Sequence, residues 1–144
     1  MRVLLDLSTV AELRRPRGNE AVKGTIALIS DDDLYLSALV VGEISRGITS
    51  LPDGRRKRAL SAWLTTLESQ FADRILAVDI ETAHLWGEIS GRLSKSARTL
   101  PVVDGLVAAT ALRHGLRIMT RHAARFEGTG VLIVDPWEEH ESAS

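Results

Sequence analysis

The sequence predicts an α/β fold built on a parallel sheet, and two observations carry that expectation. Short apolar runs alternate along the chain with longer segments of helical period, which is the pattern of βαβ units. The 144 residues, 44% of them hydrophobic, suit one domain with a core large enough to fold alone, and no internal repeat or low-complexity linker divides them.

Each element follows from local cues. "RVLLD" (2–6) reads as the first strand, and Thr9 with Glu12 resembles a capping box opening a short helix that Pro16 and Gly18 end. Asn19 is placed to cap a second helix running to Ile29. "DDDLYLSAL" passes from polar turn to strand, and Ser37 is placed to cap a helix carrying "VVGEISRGI" (40–48). Between Asp53 and Arg74, Leu60, Trp63, Leu64, Leu67 and Phe71 share one face of an amphipathic helix. "ILAVD" (75–79) reads as a strand, and Trp86, Ile89 and Leu93 mark the inner face of the next helix. A further helix begins after Pro101 with "VVDGLVAATALRHG", which Gly115 stops. "LRIMT" (116–120) and "VLIVD" (131–135) are the last strands, and the acidic tail 138–144 is expected to lack fixed structure.

Composition excludes several classes. There is no cysteine, so disulfides and thiolate metal sites are absent. No secretory leader is legible, and no apolar run approaches the roughly 18 residues that span a bilayer; a cytoplasmic protein without membrane contact is the expectation. With 18 Lys and Arg against 19 Asp and Glu, the net charge of −1 neither announces nor excludes a nucleic-acid partner.

Three carboxylates stand in apolar surroundings. Asp6 ends the first strand, where the loops of a parallel sheet bind ligands; the competing reading is a helix cap or a partner of the helix dipole. Glu43 lies at the edge of an apolar helix face, as a ligand or as a paired or snorkelling acid. Asp104 is nearly the sole polar side chain in "PVVDGLVAATAL", a helix apolar enough to be buried almost all round. It needs a cation, a donor network or a metal, unless it serves the helix N-terminus. Together the three acids would suit one hard divalent cation, Mg²⁺ or Mn²⁺, which keeps several waters. Such an ion lowers the pKa of water for in-line attack on a phosphodiester and stabilises the leaving oxygen.

With these residues in view, the chain resembles the PIN-domain ribonucleases, and among them the VapC-type toxins of bacterial toxin–antitoxin pairs, especially the FitB-like branch. The resemblance runs from Val3 to Trp137 through "LLDLSTVAELRRP", "LYLSALVVGEISRGI", "LPDGRRKRALSAWL", "LPVVDGLVAATALRHGL", "TRHAARFEGTGV" and "DPW", in that order and spacing. It implies a single PIN domain over 1–137, folded as a three-layer α/β/α sandwich with about five parallel strands. Asp6, Glu43 and Asp104 match the family's metal-binding acids, with one Mg²⁺ or Mn²⁺ per site. The implied activity is a metal-dependent endoribonuclease toxin leaving 5′-phosphate and 3′-hydroxyl ends on RNA. The implied partners are a cognate antitoxin that covers the active-site groove and a second copy in a homodimer, with operator DNA reached only through the antitoxin.

Two departures from the family pattern stand out. After the first acid the usual Thr-Asn is Leu7-Ser8, which keeps a hydroxyl and loses an amide. The pattern T-R-N-x-x-D-F becomes "TRHAARF", with His122 at the Asn position and Arg125 at the fourth acid. That substitution argues against a second metal and admits single-metal catalysis, weaker catalysis or an inactive copy. Arg125 either pairs with Glu127 or faces solvent, or else holds the scissile phosphate or a site acid. Thr120 is a further hydroxyl placed to support the site, and His122 alone of the histidines is near enough to serve as a base.

Two basic segments, Arg14, Arg15 and Arg17, then Arg55, Arg56, Lys57 and Arg58, suit an RNA backbone or are plain solvated surface. The chain has six aromatic residues, several at core-facing helical positions, and no legible base-stacking platform. A second functional reading is therefore a catalytically weak PIN domain that binds RNA or its antitoxin. Phosphoaspartyl phosphatases need a second Asp where Ser8 stands, and receiver domains need a late Lys that is absent after Lys95.

Overall fold

Period-two burial along the first strand sets the layers. In the computed structural model, which describes residues 1–137, β1 (Val3–Leu5) is wholly buried. Val3 and Leu5 face one layer, and Leu4 faces the other. On either side of β1 lie β2 (Leu34–Ser37) and β4 (Arg117–Met119), with β3 (Ile75–Leu76) and β5 (Ile133–Val134) at the edges. All pairs are parallel and the order is β3-β2-β1-β4-β5, with Leu5 opposite both Leu36 and Met119.

One face carries α1 (Leu7–Arg14), α3 (Ala38–Thr49) and α4 (Arg55–Gln70), through Val10, Val40, Ile44, Ile48 and Leu67. Ile26 and Ile29, from α2 (Glu20–Ala27) and the turn after it, pack on the same cluster. The other face carries α6 (Val102–His114), whose Val107, Ala108 and Ala111 pack on Leu4 and Ile118. Outside it lies α5 (Ile80–Lys95), which sets Ile89 and Leu93 against Ala109. With a sheet on one side and a helix on the other, α6 is apolar nearly all round, as its sequence requires. The chain therefore forms the expected α/β/α sandwich of five parallel strands.

Several elements differ in detail from the sequence reading. The helix expected to open at Thr9 opens at Leu7, because Asp6 is its N-cap. Helix α4 is shorter than 53–74, and the strand expected over 75–79 ends at Leu76, since Asp79 leaves the sheet to cap α5 through the Thr82 N–H at 2.9 Å. Asn19 and Ser37 cap α2 and α3 as expected, and Gly115 ends α6 with φ of 66°. The tail 138–144 lies outside the described residues. No helix among the described residues is long and apolar enough to cross a membrane.

Candidate active site at the carboxyl edge of the sheet

The strand order reverses between β1 and β4, and a crevice opens there outside the strand ends. Asp6 leaves β1 and Thr120 leaves β4, so both stand at this point. The Asp6 amide donates to the Met119 carbonyl at 3.2 Å, continuing the ladder one residue past the strands.

The Asp6 carboxylate is held by converging donors. Oδ1 accepts from the Ser8 hydroxyl at 2.7 Å and the Thr9 amide at 3.0 Å, and Oδ2 accepts from the buried Thr120 hydroxyl. The Thr9 hydroxyl lies 3.1 Å from Oδ1 but nearer the Met119 carbonyl, at 2.8 Å, and has one proton to give. Ser8 and Thr120 are themselves held, accepting the Arg121 and His122 amides at 3.3 and 2.9 Å. A cap and a cavity-lining acid thus coexist in one side chain.

Asp6, Glu43 and Asp104, from β1's end, α3 and α6, line one cavity of about 320 Å³, together with Ser8, His122 and Arg125. Burial pushes the Glu43 carboxyl above the usual glutamate range, and the negative charges of Asp104 and then Asp6 push it further. Arg125 and Arg46 oppose the rise. Glu43 therefore feels both of the other acids, although among the described residues no three His, Asp or Glu side chains are gathered into a ready metal cage. An all-carboxylate donor set with room between its members suits a hard cation that keeps part of its water shell.

Of the sequence-predicted candidates, Ser8, His122 and Arg125 stand at this cavity, and Thr120 lies directly beneath Asp6. Arg125 is not the partner of Glu127, which pairs with Arg98 at 3.2 Å. The two basic segments do not line the cavity. Arg14, Arg15 and Arg17 lie exposed at the end of α1 and beyond it, Arg15 standing 3.8 Å from Glu12. Lys57 is tied to Asp53 at 3.3 Å and to the Thr49 and Leu51 carbonyls, while Arg55, Arg56 and Arg58 are exposed on the first turn of α4. Sequence reading missed Arg46, one turn from Glu43, and Arg98. The first was legible as an i,i+3 neighbour, the second only from tertiary structure.

Comparison with known proteins agrees with this architecture. The PIN domain family matches residues 3–127. A protein named VapC ribonuclease Y4jK, from Sinorhizobium fredii, is 30% identical over 94% of this chain and 98% of its own. Toxin FitB of Neisseria gonorrhoeae is 32% identical over 95% of this chain and 99% of its own. The crystal structure of FitAcB from Neisseria gonorrhoeae superposes with a TM-score of 0.88 at 32% identity, covering 94% of this chain and 98% of that one. The same fold occurs in other FitAB and VapBC complexes, some solved with DNA. A five-strand parallel sheet, a crevice of carboxylates where its order reverses, and a family match over most of the length agree: this chain belongs to the PIN-domain family.

Proposed function

We propose that this chain is a metal-dependent endoribonuclease, the toxin of a toxin–antitoxin pair. One observation carries the reading: three carboxylates from three separate elements line a single cavity and raise the proton affinity of one of their number. Such an arrangement is unfavourable to folding and is relieved by a cation. Relatives named as a ribonuclease and a toxin support the substrate class and the biological role.

Asp6, Glu43 and Asp104 would hold one Mg²⁺ or Mn²⁺. The ion, when bound, supplies Lewis acidity to the phosphodiester and to the attacking water. The chain's own residues do the rest. Ser8, Thr9 and Thr120 fix the direction of the Asp6 carboxylate, so no reorientation is needed on binding. Arg125 presents a fixed positive charge to the non-bridging phosphate oxygens on the same cavity wall as Asp104. His122 stands exposed where it lines the cavity and would serve as a general base there. The proposed partners are RNA as substrate, a cognate antitoxin, a second copy of the chain and, through the antitoxin, operator DNA.

Arg125 favours a second reading, because a cation in place of a fourth acid suits phosphate binding as well as cleavage. In that reading the chain binds RNA or its antitoxin and cuts weakly. Incubating a mixed structured-RNA pool with antitoxin-free protein in Mn²⁺ or Mg²⁺ separates the two. Cleavage lost in EDTA and in Asp6→Asn is the expected result. Intact RNA with folded, metal-binding protein would overturn the nuclease reading, and Arg125→Asp is then the substitution to restore cutting.

A further inference from the structure

A second cavity, of about 430 Å³, opens beside the first and shares Asp104 and Arg125 with it. Its size falls within the range of ligand pockets. Two residues line both, so the cavities adjoin at Asp104 and Arg125, the second lying toward the turn that joins α5 to α6. Leu93, Leu100 and Pro101 give it an apolar side, and Arg98 lines it too.

The position of Arg98 is built by two segments. Its amide donates to the Leu93 carbonyl at 3.0 Å, past Ala97 in the left-handed region at φ of 57°, a conformation a residue with a Cβ rarely holds. On the other side, Gly128 has φ of 83°, and a Cβ there would lie 3.0 Å from an Arg98 guanidinium nitrogen and 2.8 Å from a Leu93 methyl. The positive φ favours glycine there, and its missing Cβ leaves the Leu93 methyl and the guanidinium uncrowded. The partner of Arg98, Glu127, is 69% exposed and Arg98 itself 44%. An ion pair this open contributes little, and a phosphate can take its place.

We propose that this second cavity is the seat of the nucleotide next to the scissile phosphodiester, with the Arg98 guanidinium on that nucleotide's phosphate. The inference rests on the nuclease reading above, because it is the phosphodiester at the acids whose chain continues into the seat. Arg125, which lines both cavities, and Arg98, which lines the second, then serve as successive cations for successive phosphates, each suited to two-pronged contact. The apolar side takes the sugar and base face without reading a base edge, and among the described residues no aromatic ring lines the cavity to stack one.

Fluorescence anisotropy with a labelled ten-nucleotide RNA of random sequence tests this. The protein is held in EDTA, over a series of salt concentrations, as wild type, Arg98→Gln and Glu127→Gln. Arg98→Gln is expected to weaken binding by about tenfold. It should also flatten the dependence of log Kd on log salt by about 0.7, the share of one phosphate contact on a single strand. Glu127→Gln frees Arg98 and is expected to bind as tightly as wild type or more so. Unchanged affinity and slope in Arg98→Gln would overturn the seat while leaving the nuclease reading standing. Equal weakening in both variants, with equal loss of thermal stability and no change in slope, would make the pair a structural clasp and also overturn it. Arg98-dependent binding of an oligoglutamate peptide, with RNA binding indifferent to Arg98, would assign the cavity to an acidic protein segment. A wild type that binds no RNA in EDTA overturns this inference, while cleavage of the RNA pool in Mn²⁺ decides the nuclease reading separately.

Discussion

Asp6 posed alternatives in the sequence, helix cap or ligand, that its surroundings make compatible. An ionised carboxylate has about four acceptor sites, so three donors from Ser8, Thr9 and Thr120 leave capacity toward the cavity. Glu43 is less comfortable, since burial and two like charges favour its protonated form. A carboxyl whose proton affinity is higher in the folded state favours folding at low pH, and that contribution is lost as pH rises through its folded-state pKa. In EDTA, the melting temperature of Glu43→Gln should therefore gain on wild type as pH is raised from 4 to 7; in Mn²⁺, its RNA cleavage should fall by more than the roughly hundredfold of an outer-sphere change. Thermal unfolding at stepped pH checks the first part, and parallel curves for the two proteins would sink it.

At the scale of elements, α6 shows why one helix carries both an apolar core and a site acid. Gly105 follows Asp104 and sits against α5, where a Cβ would come within 2.8 Å of the Trp86 ring. The close approach fixes the first turn of α6 and with it Asp104. Gly105→Ala gains up to about 1 kcal/mol of helix propensity, but the overlap with a rigid ring costs about 1 to 3 kcal/mol. Net destabilisation by urea is the expected outcome, accompanied by slower cleavage; a more stable variant would mean that the helices separate freely. The first turn of α4 shows the opposite economy: four cations face the positive end of the helix dipole, and among the described residues only Lys57 is offset, by Asp53 and two carbonyls.

For the whole molecule, the parallel sheet with its reversal between β1 and β4 gathers acids that lie far apart in the chain. A cation that binds only the gathered arrangement stabilises the fold by mass action. Mn²⁺ at a hundredfold excess over its dissociation constant should add about 2.7 kcal/mol, read as a raised melting temperature. Asp104→Asn should lose most of that shift. An equal shift in both proteins would remove Asp104 from the ligand set.

The chain's own pattern determined the fold class, the helix stop at Gly115, the caps at Asn19 and Ser37, and the three acids worth attention, because each depends on local periodicity or on a charge set among apolar neighbours. Element ends were less legible. Asp79 looks like a strand residue until the chain turns to use it as a cap. Only the tertiary structure decided that Thr120 bonds Asp6 across 114 positions, that Glu127 belongs to Arg98 and not to Arg125, and that a second cavity adjoins the first. Those facts depend on which strand ends and loops become neighbours in space, and the spacing of residues along one chain does not encode distances between its folded segments.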